Sequence, residues 1–505
     1  MRKSWLFAIV FVVLPAVAAA QVTVIHVPSG VPDIQSAINQ AAAIVGGGTP
    51  SDVLIEVAPG TYSTTGGPGF IVDGINNPFF TVTLRAAQGA MVTILDASNI
   101  TNNVFRGFGT RNLVIDGFTI RNRIPDQTNF LGRGINLPNS TDITVENCHF
   151  DTTEQGVVFR VFDPSLSSQN RVVNNTGVVG QGTDVNAPNF AFGQAASMLR
   201  FFPVGTVEIG ESKLIAANNV FRCTASCVRF INVAQDPNGN VVGAFANGSL
   251  EMTGNDVSSS FAGGFLILGG HGHQVAGNRI HDGLIGGFFQ SASSGVIENN
   301  VIFNNALDGL EVLDLGPTSQ DFAAEGRLIR HNTIVNNAAV GILYGDLDGG
   351  AHNFLPSVYN NVIAFNDAGG VAAIEQSPFA FAFITVSFDV AGNDNFGNTL
   401  RNFQLDFAGI SNPGVAAPNY SGVLNTGLDL SVVPGFEAPQ VQDFSLMPNS
   451  MLVNAGITSR PTPFQDFAGH LRDSHPDIGA FEFVPTPVLN VRSNPNATRR
   501  RPNDQ

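Results

Sequence analysis

Three arginines recur at one place in a repeated strand pattern and are the first candidates for binding chemistry. Each lies four positions after a small residue and is followed by apolar residues: Arg160, Arg200 and Arg229. If the first apolar residue of each strand faces a core, alternation directs these side chains outward. Stacked guanidinium groups repel one another, and a uronate carboxylate or sulfate held bidentately would offset that repulsion. The alternative is that Asp or Glu side chains on neighbouring turns pair with the arginines.

A second column is acidic. Asp314, Asp346 and Glu375 each lie five positions after a glycine, and Asp348 lies close enough in sequence to join them. Carboxylates stacked one above another repel, so their pKa values should rise or they should share a cation. Calcium is the expected cation because it is a hard ion that takes several oxygen ligands. Two alternatives stay open, a general acid and base pair for glycoside hydrolysis and a solvated acidic corner.

Sugar stacking needs an exposed aromatic ring. The only tryptophan is Trp5, inside the N-terminal segment, so Tyr344 and exposed phenylalanines are the candidates for this role. No serine or cysteine nucleophile motif and no phosphate-binding loop is present. The sequence therefore leaves open whether the protein is an enzyme.

A repeated sequence pattern sets the register of both columns. It consists of a short apolar run, an asparagine, and an apolar residue two places later. The asparagines are Asn175, Asn219, Asn255, Asn278, Asn300, Asn332, Asn361 and Asn393, with Phe118 and Cys148 at the equivalent earlier positions. We expect this asparagine to take a positive φ at a sharp turn, and its amide to bond to the next one along the axis. Its irregular spacing excludes helical-repeat solenoids and propellers.

A second strand type alternates strictly with the asparagine lines. Because no helical segment lies between the two types, βαβ topology is excluded and a coil of parallel sheets is favoured. Residues 31–45 have apolar residues at helical spacing, and residues 52–57 read as a strand followed by a turn at 58–62. Such a helix would cover the open apolar end of the first coil.

The helix, strand and turn resemble the N-terminal cap of pectin-lyase-like right-handed parallel β-helices. The run Pro-Asp-Ile-Gly-Ala-Phe-Glu at 476–482 resembles the closing module of many secreted bacterial β-helix proteins. The resemblance implies an all-β, right-handed parallel β-helix (solenoid), and a role in recognising or cleaving polysaccharides along an exposed sheet. His271 lies in a Gly-His-Gly motif of polygalacturonase-type hydrolases, but the other motifs of that family and the Trp-Ile-Asp-His motif of pectate lyases are missing.

The expected organisation has five parts. They are a signal peptide at 1–20, an N-terminal cap with the first strand at 21–62, the β-helix at 63–410, a C-terminal closing module at 411–483, and a disordered tail at 484–505. Arg2 and Lys3 form the basic start of the leader, residues 6–17 its apolar part, and three alanines its cleavage site. An uncleaved membrane anchor is the alternative, and the apolar run is short for spanning a bilayer.

Charge and cysteine content limit the partners. The formal net charge of −16 argues against nucleic acid, whose binding requires a basic surface. In an oxidising compartment Cys223 and Cys227 could form a local bridge that leaves Cys148 free, or all three could be unpaired. We therefore expect a secreted monomer without a transmembrane span after signal cleavage, whose partner is a polysaccharide or cell-envelope glycan. A non-catalytic, adhesin-like surface spacer is the competing hypothesis.

Overall fold

Three long parallel sheets run the length of the molecule. The computed structural model describes residues 22–64, 69–98, 103–123, 132–152, 155–163, 165–179, 197–203, 210–235, 241–244, 247–259, 262–290, 293–314, 326–346, 357–367, 369–375, 389–398, 403–407 and 429–485. Sheet 1 has 13 strands, and Sheet 2 and Sheet 3 have 12 each. Neighbouring strands in every sheet come from consecutive coils of the chain and pair in parallel, which confirms the predicted parallel β-helix.

The strands follow one another in the order Sheet 1, Sheet 2, Sheet 3 on each complete coil. Sheet 1 consists of Thr23–Val27, Val53–Val57, Val82–Ala86, Arg111–Asp116, Thr141–Glu146, Gln169–Val173, Lys213–Ala217, Ser249–Thr253, His273–Ala276, Gly295–Glu298, Arg327–Arg330, Ser357–Tyr359 and Asp389–Ala391. Sheet 2 consists of Gly60–Ser63, Thr93–Asp96, Thr119–Asn122, His149–Thr152, Thr176–Val179, Val220–Cys223, Asp256–Ser259, Arg279–His281, Val301–Phe303, Thr333–Val335, Val362–Ala364 and Asp394–Phe396. Sheet 3 consists of Phe70–Ile71, Asn103–Arg106, Arg133–Asn136, Gln155–Val161, Ser197–Pro203, Val228–Ile231, Gly263–Leu268, Ile285–Gln290, Leu310–Asp314, Val340–Asp346, Gly369–Glu375 and Phe403–Phe407.

Two antiparallel pairs lie outside the coil. Val233–Gln235 pairs with Val241–Ala244 beside Sheet 3, and Phe436–Ala438 pairs with Asp443–Leu446 through the 3-10 turn Pro439–Val441. In the part of the chain that the structure describes, no helix is long and apolar enough to cross a membrane. The predicted leader at 1–20 lies outside the described residues, as does the predicted tail from residue 486 on.

One α-helix covers the start of the coil. It spans Ile34–Val45, and Asp33 caps it by accepting a hydrogen bond from the Ser36 N–H at 2.8 Å. The residues at helical spacing, from Ile34 to Val45, are buried against the first coil. The helix predicted at 31–45 is confirmed, and it begins at Ile34 because Asp33 supplies the cap.

The asparagine lines form a buried ladder of amides between Sheet 1 and Sheet 2. The backbone N–H and the side-chain Nδ2 of Asn300 both donate to Oδ1 of Asn332, at 3.0 and 2.9 Å. The same Nδ2 donates to the Val275 carbonyl at 2.8 Å, and Oδ1 of Asn300 accepts from the Asn278 N–H, so the amide satisfies buried backbone on the preceding coil. This arrangement repeats from Asn175 to Asn393, and the Cys148 N–H donates to Asn175 at its start. The predicted ladder is therefore confirmed.

The left-handed residue of this turn is the one before the ladder asparagine. Positive φ is found at Asn147, Asn174, Asn218, Gly254, Gly277, Asn299, His331, Asn360 and Gly392, each directly before a ladder position. The prediction that the ladder asparagine itself takes the positive φ is wrong. The two turn residues therefore have different roles. The first reverses the direction of the chain, and the second points its side-chain amide inward, where it bonds buried backbone groups.

A module at 429–485 packs on the outer face of Sheet 2. Its apolar residues Phe436, Phe444, Leu446, Leu452, Ile478 and Ala480 form one core with Val301, Phe303, Val335, Val362 and Ala364 of that sheet. Arg472 and Glu482 form a buried ion pair at 3.1 Å, and Nη2 of Arg472 donates to Oδ1 of Asn299 in the ladder turn at 2.9 Å. The Pro-Asp-Ile-Gly-Ala-Phe-Glu run thus attaches this module to the coil.

The structure shows which cysteines are paired, a question that the sequence left open. Cys223 and Cys227 form a disulfide at the end of a Sheet 2 strand, and Cys148 is a buried free thiol. Burial raises the pKa of the Cys148 thiol to about 12, so it is protonated and inert at neutral pH.

Replacing the two residues of one ladder turn should lower the free energy of unfolding by very different amounts. Asn219 is fully buried and bonded on both sides, so Asn219→Gly leaves buried N–H groups without acceptors and should lower the free energy of unfolding by about 2–5 kcal/mol. The matched control is Asn218→Gly, which should cost about 0–1 kcal/mol because Gly254, Gly277 and Gly392 occupy that turn position on other coils. Urea unfolding measures both changes, and equal losses would contradict this division of roles.

Candidate functional site

The outer face of Sheet 3 carries one continuous column of side chains. Consecutive strands place these residues in register: Val158, Arg200, Arg229, Leu266, Phe288, Glu311 and Leu343. We call this set the Sheet 3 column. Its members alternate with core residues such as Val228 and Leu310, so they lie on the opposite face from the interior.

The structure brings two of the three predicted arginines together. Arg200 and Arg229 are directly paired on adjacent strands. Arg160 is paired with Phe202, whereas the residue in register with Arg200 is Val158. The prediction that Arg160 belongs to the same column is corrected, because the small residue used for counting does not mark the same position in every strand. Arg160 lies on the same face, two residues further along its strand.

Arg229 is the more enclosed member of the pair. Its side chain is 5% exposed, whereas Arg200 is half-buried. Burial, and then the neighbouring charge of Arg200, lower the pKa of Arg229 to about 9. The guanidinium is still mostly charged at neutral pH, and an anion placed against the pair would stabilise that charge.

An apolar stretch separates the arginines from an acid in the same column. Leu266 and Phe288 are half-buried and follow Arg229 on the next two strands, and Glu311 follows Phe288. Three steps between strands of about 4.8 Å each place Arg229 and Glu311 roughly 14 Å apart. The column therefore offers a positive end, an aromatic surface and an acidic end over a length of several sugar residues.

Glu311 is paired with a second acid, Asp308, that sequence reasoning did not identify as a site residue. Asp308 accepts a hydrogen bond from the Val340 N–H at 2.7 Å and also bonds to the Glu311 side chain. Burial, and then the charge of Asp308, raise the pKa of Glu311 to about 8, and burial raises the pKa of Asp308. The pair therefore holds a proton at neutral pH, which Glu311 donates to Asp308, and the remaining oxygens of the pair can accept hydrogen bonds. The available signal was a lone glutamate at an outward position of the apolar strand Leu-Glu-Val-Leu.

The acidic column stacks in the predicted backbone register. Asp314 pairs with Asp346, and Asp346 pairs with Glu375 on the next strand. The side chains of these three residues, and Asp348 altogether, lie outside what the structure describes. Among the described residues, no group of three or more His, Cys, Asp and Glu side chains is placed to hold a metal ion. Calcium binding at this column thus stays a prediction.

Tyr344 does not lie on the surface. It is in register with Val312, is 5% exposed and belongs to the interior core of the coil. The ring is therefore not available to stack on a sugar, and that prediction is corrected. Alternation explains the error: Tyr344 follows Leu343, whose side chain is the outward one.

The comparisons with known proteins agree with this architecture. Residues 213–386 match the family model for the right-handed beta helix region. Together with the sheet topology, this match makes the chain a right-handed parallel β-helix. No curated protein gives a match to this sequence.

Several solved structures are similar in part. The periplasmic alginate epimerase AlgG is 11% identical, with 71% of this chain and 76% of that chain covered and a TM-score of 0.37. The catalytic unit of a GH87 alpha-1,3-glucanase from Streptomyces thermodiastaticus strain HF3-3 is 16% identical, with 75% and 66% covered and a TM-score of 0.38. Pectate lyase Pel9A is 14% identical, with 92% and 97% covered and a TM-score of 0.31. Likeness at this level carries no information about the activity of this chain.

The raised pKa of Glu311 predicts a specific pH dependence of stability. Folding moves this pKa from an ordinary 4.5 to about 8, so the protonated form is favoured in the folded state. Its contribution is complete below about pH 4.5 and is lost as the pH rises to 8. Glu311→Gln should therefore raise Tm at pH 8.5 relative to the unmodified protein, on the order of 2–5 °C, with no gain at pH 4.5.

The matched control is Glu437→Gln, which removes an exposed carboxylate from the C-terminal module. It should leave the difference in Tm between the two pH values unchanged. Calorimetry at both pH values measures the effect, and a pH-independent shift for Glu311→Gln would contradict a buried, protonated acid.

Proposed function

We propose that this protein binds an acidic polysaccharide along the Sheet 3 column. The observation that carries the proposal is the register of Arg200 with Arg229, which places two guanidinium groups on adjacent strands of one parallel sheet. Planar guanidinium groups hold carboxylates and sulfates through paired hydrogen bonds. A uronate or sulfated sugar at this point offsets the repulsion between the two arginines.

The rest of the column suits an extended glycan. A sugar residue in an extended chain is about as long as the rise between neighbouring strands, so successive sugars meet successive members of the column. Phe288 supplies an aromatic surface beside Leu266. At the far end, the oxygens of the Glu311–Asp308 pair that the shared proton leaves free supply acceptors for sugar hydroxyls. The Cys223–Cys227 disulfide fits an oxidising, extracellular setting for this role.

The lowered pKa of Arg229 favours a second function on the same site, cleavage of a uronate chain by β-elimination. In its neutral form Arg229 would take the proton from the carbon next to the carboxylate. The electron pair left on that carbon forms a double bond as the adjacent bond from carbon to glycosidic oxygen breaks, and the departing oxygen takes a proton from water. Charged Arg200 would hold the carboxylate and stabilise the charge that develops on it. Glu311 is too distant to protonate the same oxygen.

Binding to alginate, pectate and a sulfated glycan tests the proposal. Arg200→Gln should raise Kd about tenfold or more and weaken the salt dependence of binding, because one charge-assisted contact is lost. Arg229→Lys keeps the charge and should bind more weakly than the unmodified protein because the planar, bidentate geometry is lost. Ultraviolet absorbance of an unsaturated uronate product reports elimination in the same samples.

The matched control is Arg123→Gln, which removes an arginine that is 60% exposed on Sheet 2. Its affinity for each glycan should be unchanged, and circular dichroism checks that all three variants are folded. Equal affinities for Arg200→Gln and Arg123→Gln would sink the proposed site. The absence of anionic-glycan binding would favour the non-catalytic surface spacer instead.

We also propose that the stacked acidic column binds calcium. Its support is the register of Asp314, Asp346 and Glu375 on three consecutive strands, since oxygen ligands brought together in this way attract a hard cation. Millimolar calcium should raise Tm, and a variant with Asp314→Asn, Asp346→Asn and Glu375→Gln should lose that rise. Asp367→Asn, at an exposed position, should keep it. A calcium shift of the same size in the triple variant would show that the ion binds elsewhere.

A further inference from the structure

A polar cleft lies on a different face from the Sheet 3 column. It opens where four consecutive strands of Sheet 3 lead into Sheet 1, and its volume is about 520 Å³. The polar residues that line it include Arg111, Asp142, Asp163, Ser165, Gln169 and Glu211. None of them belongs to the Sheet 3 column or to the acidic column.

Several of these groups are available to a ligand. Within the described residues, the side chains of Arg111 and Gln169 make no hydrogen bond or ion pair. Among the same residues, Asp142 accepts only a long hydrogen bond from Thr141, at 3.3 Å, and the carboxylate of Asp163 accepts hydrogen bonds only from the N–H and hydroxyl of Ser165. Glu211 already accepts a hydrogen bond from the Gly248 N–H at 3.1 Å and lies 3.5 Å from Nε2 of His271. The cleft therefore presents a guanidinium, an amide and two carboxylates, those of Asp142 and Asp163, whose hydrogen-bonding capacity is largely unused.

Two exposed aromatic rings belong to residues that lie close in sequence to the cleft lining. Phe108 and Phe162 are 58% and 45% exposed, and their ring centroids lie 6.5 Å apart. Phe162 directly precedes the cleft residue Asp163, and Phe108 lies three residues before Arg111. Large apolar rings exposed as a pair beside a polar cleft are typical of a binding surface.

The backbone holds these rings in place before any ligand arrives. Oδ1 of Asn139 accepts hydrogen bonds from the N–H groups of Phe162 and Asp163, at 2.6 and 3.2 Å. The N–H of Phe108 donates to Oδ1 of Asp73 at 2.8 Å, and the Gly109 N–H donates to the Pro138 carbonyl at 3.0 Å. Little ordering entropy is therefore lost when a ligand contacts the rings.

We propose that this cleft and the two phenylalanines bind a neutral oligosaccharide. Aromatic faces stack on the C–H faces of sugar rings, and planar amide, carboxylate and guanidinium groups each bond two neighbouring hydroxyls. The cleft lining carries three carboxylates, Asp142, Asp163 and Glu211, and one cation, Arg111, and this negative balance disfavours an anionic sugar at this place. The site differs in charge and in location from the Sheet 3 column, so the protein would hold two chemically distinct glycans.

The test uses the full chain and uncharged β-1,4-linked and α-1,4-linked glucose hexasaccharides, with a tetralysine peptide as the alternative ligand. At least one hexasaccharide should bind in calorimetry, and the variant Phe108→Ala with Phe162→Ala should raise its Kd about tenfold or more. Gln169→Ala should weaken binding in the same direction. Phe79→Ala removes a ring that is 84% exposed elsewhere and should leave Kd unchanged.

The outcomes separate this site from the function proposed above. Arg200→Gln should leave the hexasaccharide affinity unchanged even where it weakens binding of an acidic glycan. No binding of either hexasaccharide at millimolar concentration would overturn the inference. It would equally be overturned if the double phenylalanine variant and Phe79→Ala bound alike, or if only the cationic peptide bound.

Discussion

The buried amide ladder is the interaction on which the rest of the structure depends. Each ladder asparagine bonds the backbone of the coil before it and the amide of the coil after it. The turn between Sheet 1 and Sheet 2 is therefore the same on each coil from Asn175 to Asn393, however long the other connections become. A fixed turn fixes the register of the next strands, because a shift of one residue would turn the core side chains outward.

That register determines which faces can bind a partner. On the C-terminal half of Sheet 2 the outer face is covered by the module at 429–485, whose apolar residues continue the core. The outer face of Sheet 3 instead carries charged residues between apolar ones, with Arg200 and Arg229 at one end and Glu311 at the other. Charged groups in a column on a rigid sheet are already held in position, so little side-chain entropy is lost when a ligand binds. This favours recognition of a regular polymer.

The local sequence pattern predicts those parts of the fold that repeat from coil to coil. The ladder from Asn175 to Asn393, the cap helix and the backbone register of Asp314, Asp346 and Glu375 could all be predicted, because each follows from a fixed offset within one coil. A second ladder, formed by Asn305, Asn337, Asn366 and Asn398, was missed although it lies five positions after the first.

What could not be predicted depends on contacts between coils. The position of Arg160 required the pairing of two strands, and small residues in the sequence do not mark that pairing reliably. The interior position of Tyr344 depends on which residue of its strand begins the alternation. The Asp308–Glu311 pair becomes visible only when burial and the hydrogen bond between the two acids are known, since neither follows from residue type.

A crystal structure of the protein with a bound tetrauronate tests the central claim most directly. The account predicts a uronate carboxylate against Arg200 and Arg229, and a sugar chain that follows the column past Phe288 toward Glu311. A tetrauronate bound on another face, or a Sheet 3 column that stays free of ligand at saturating concentration, would contradict it.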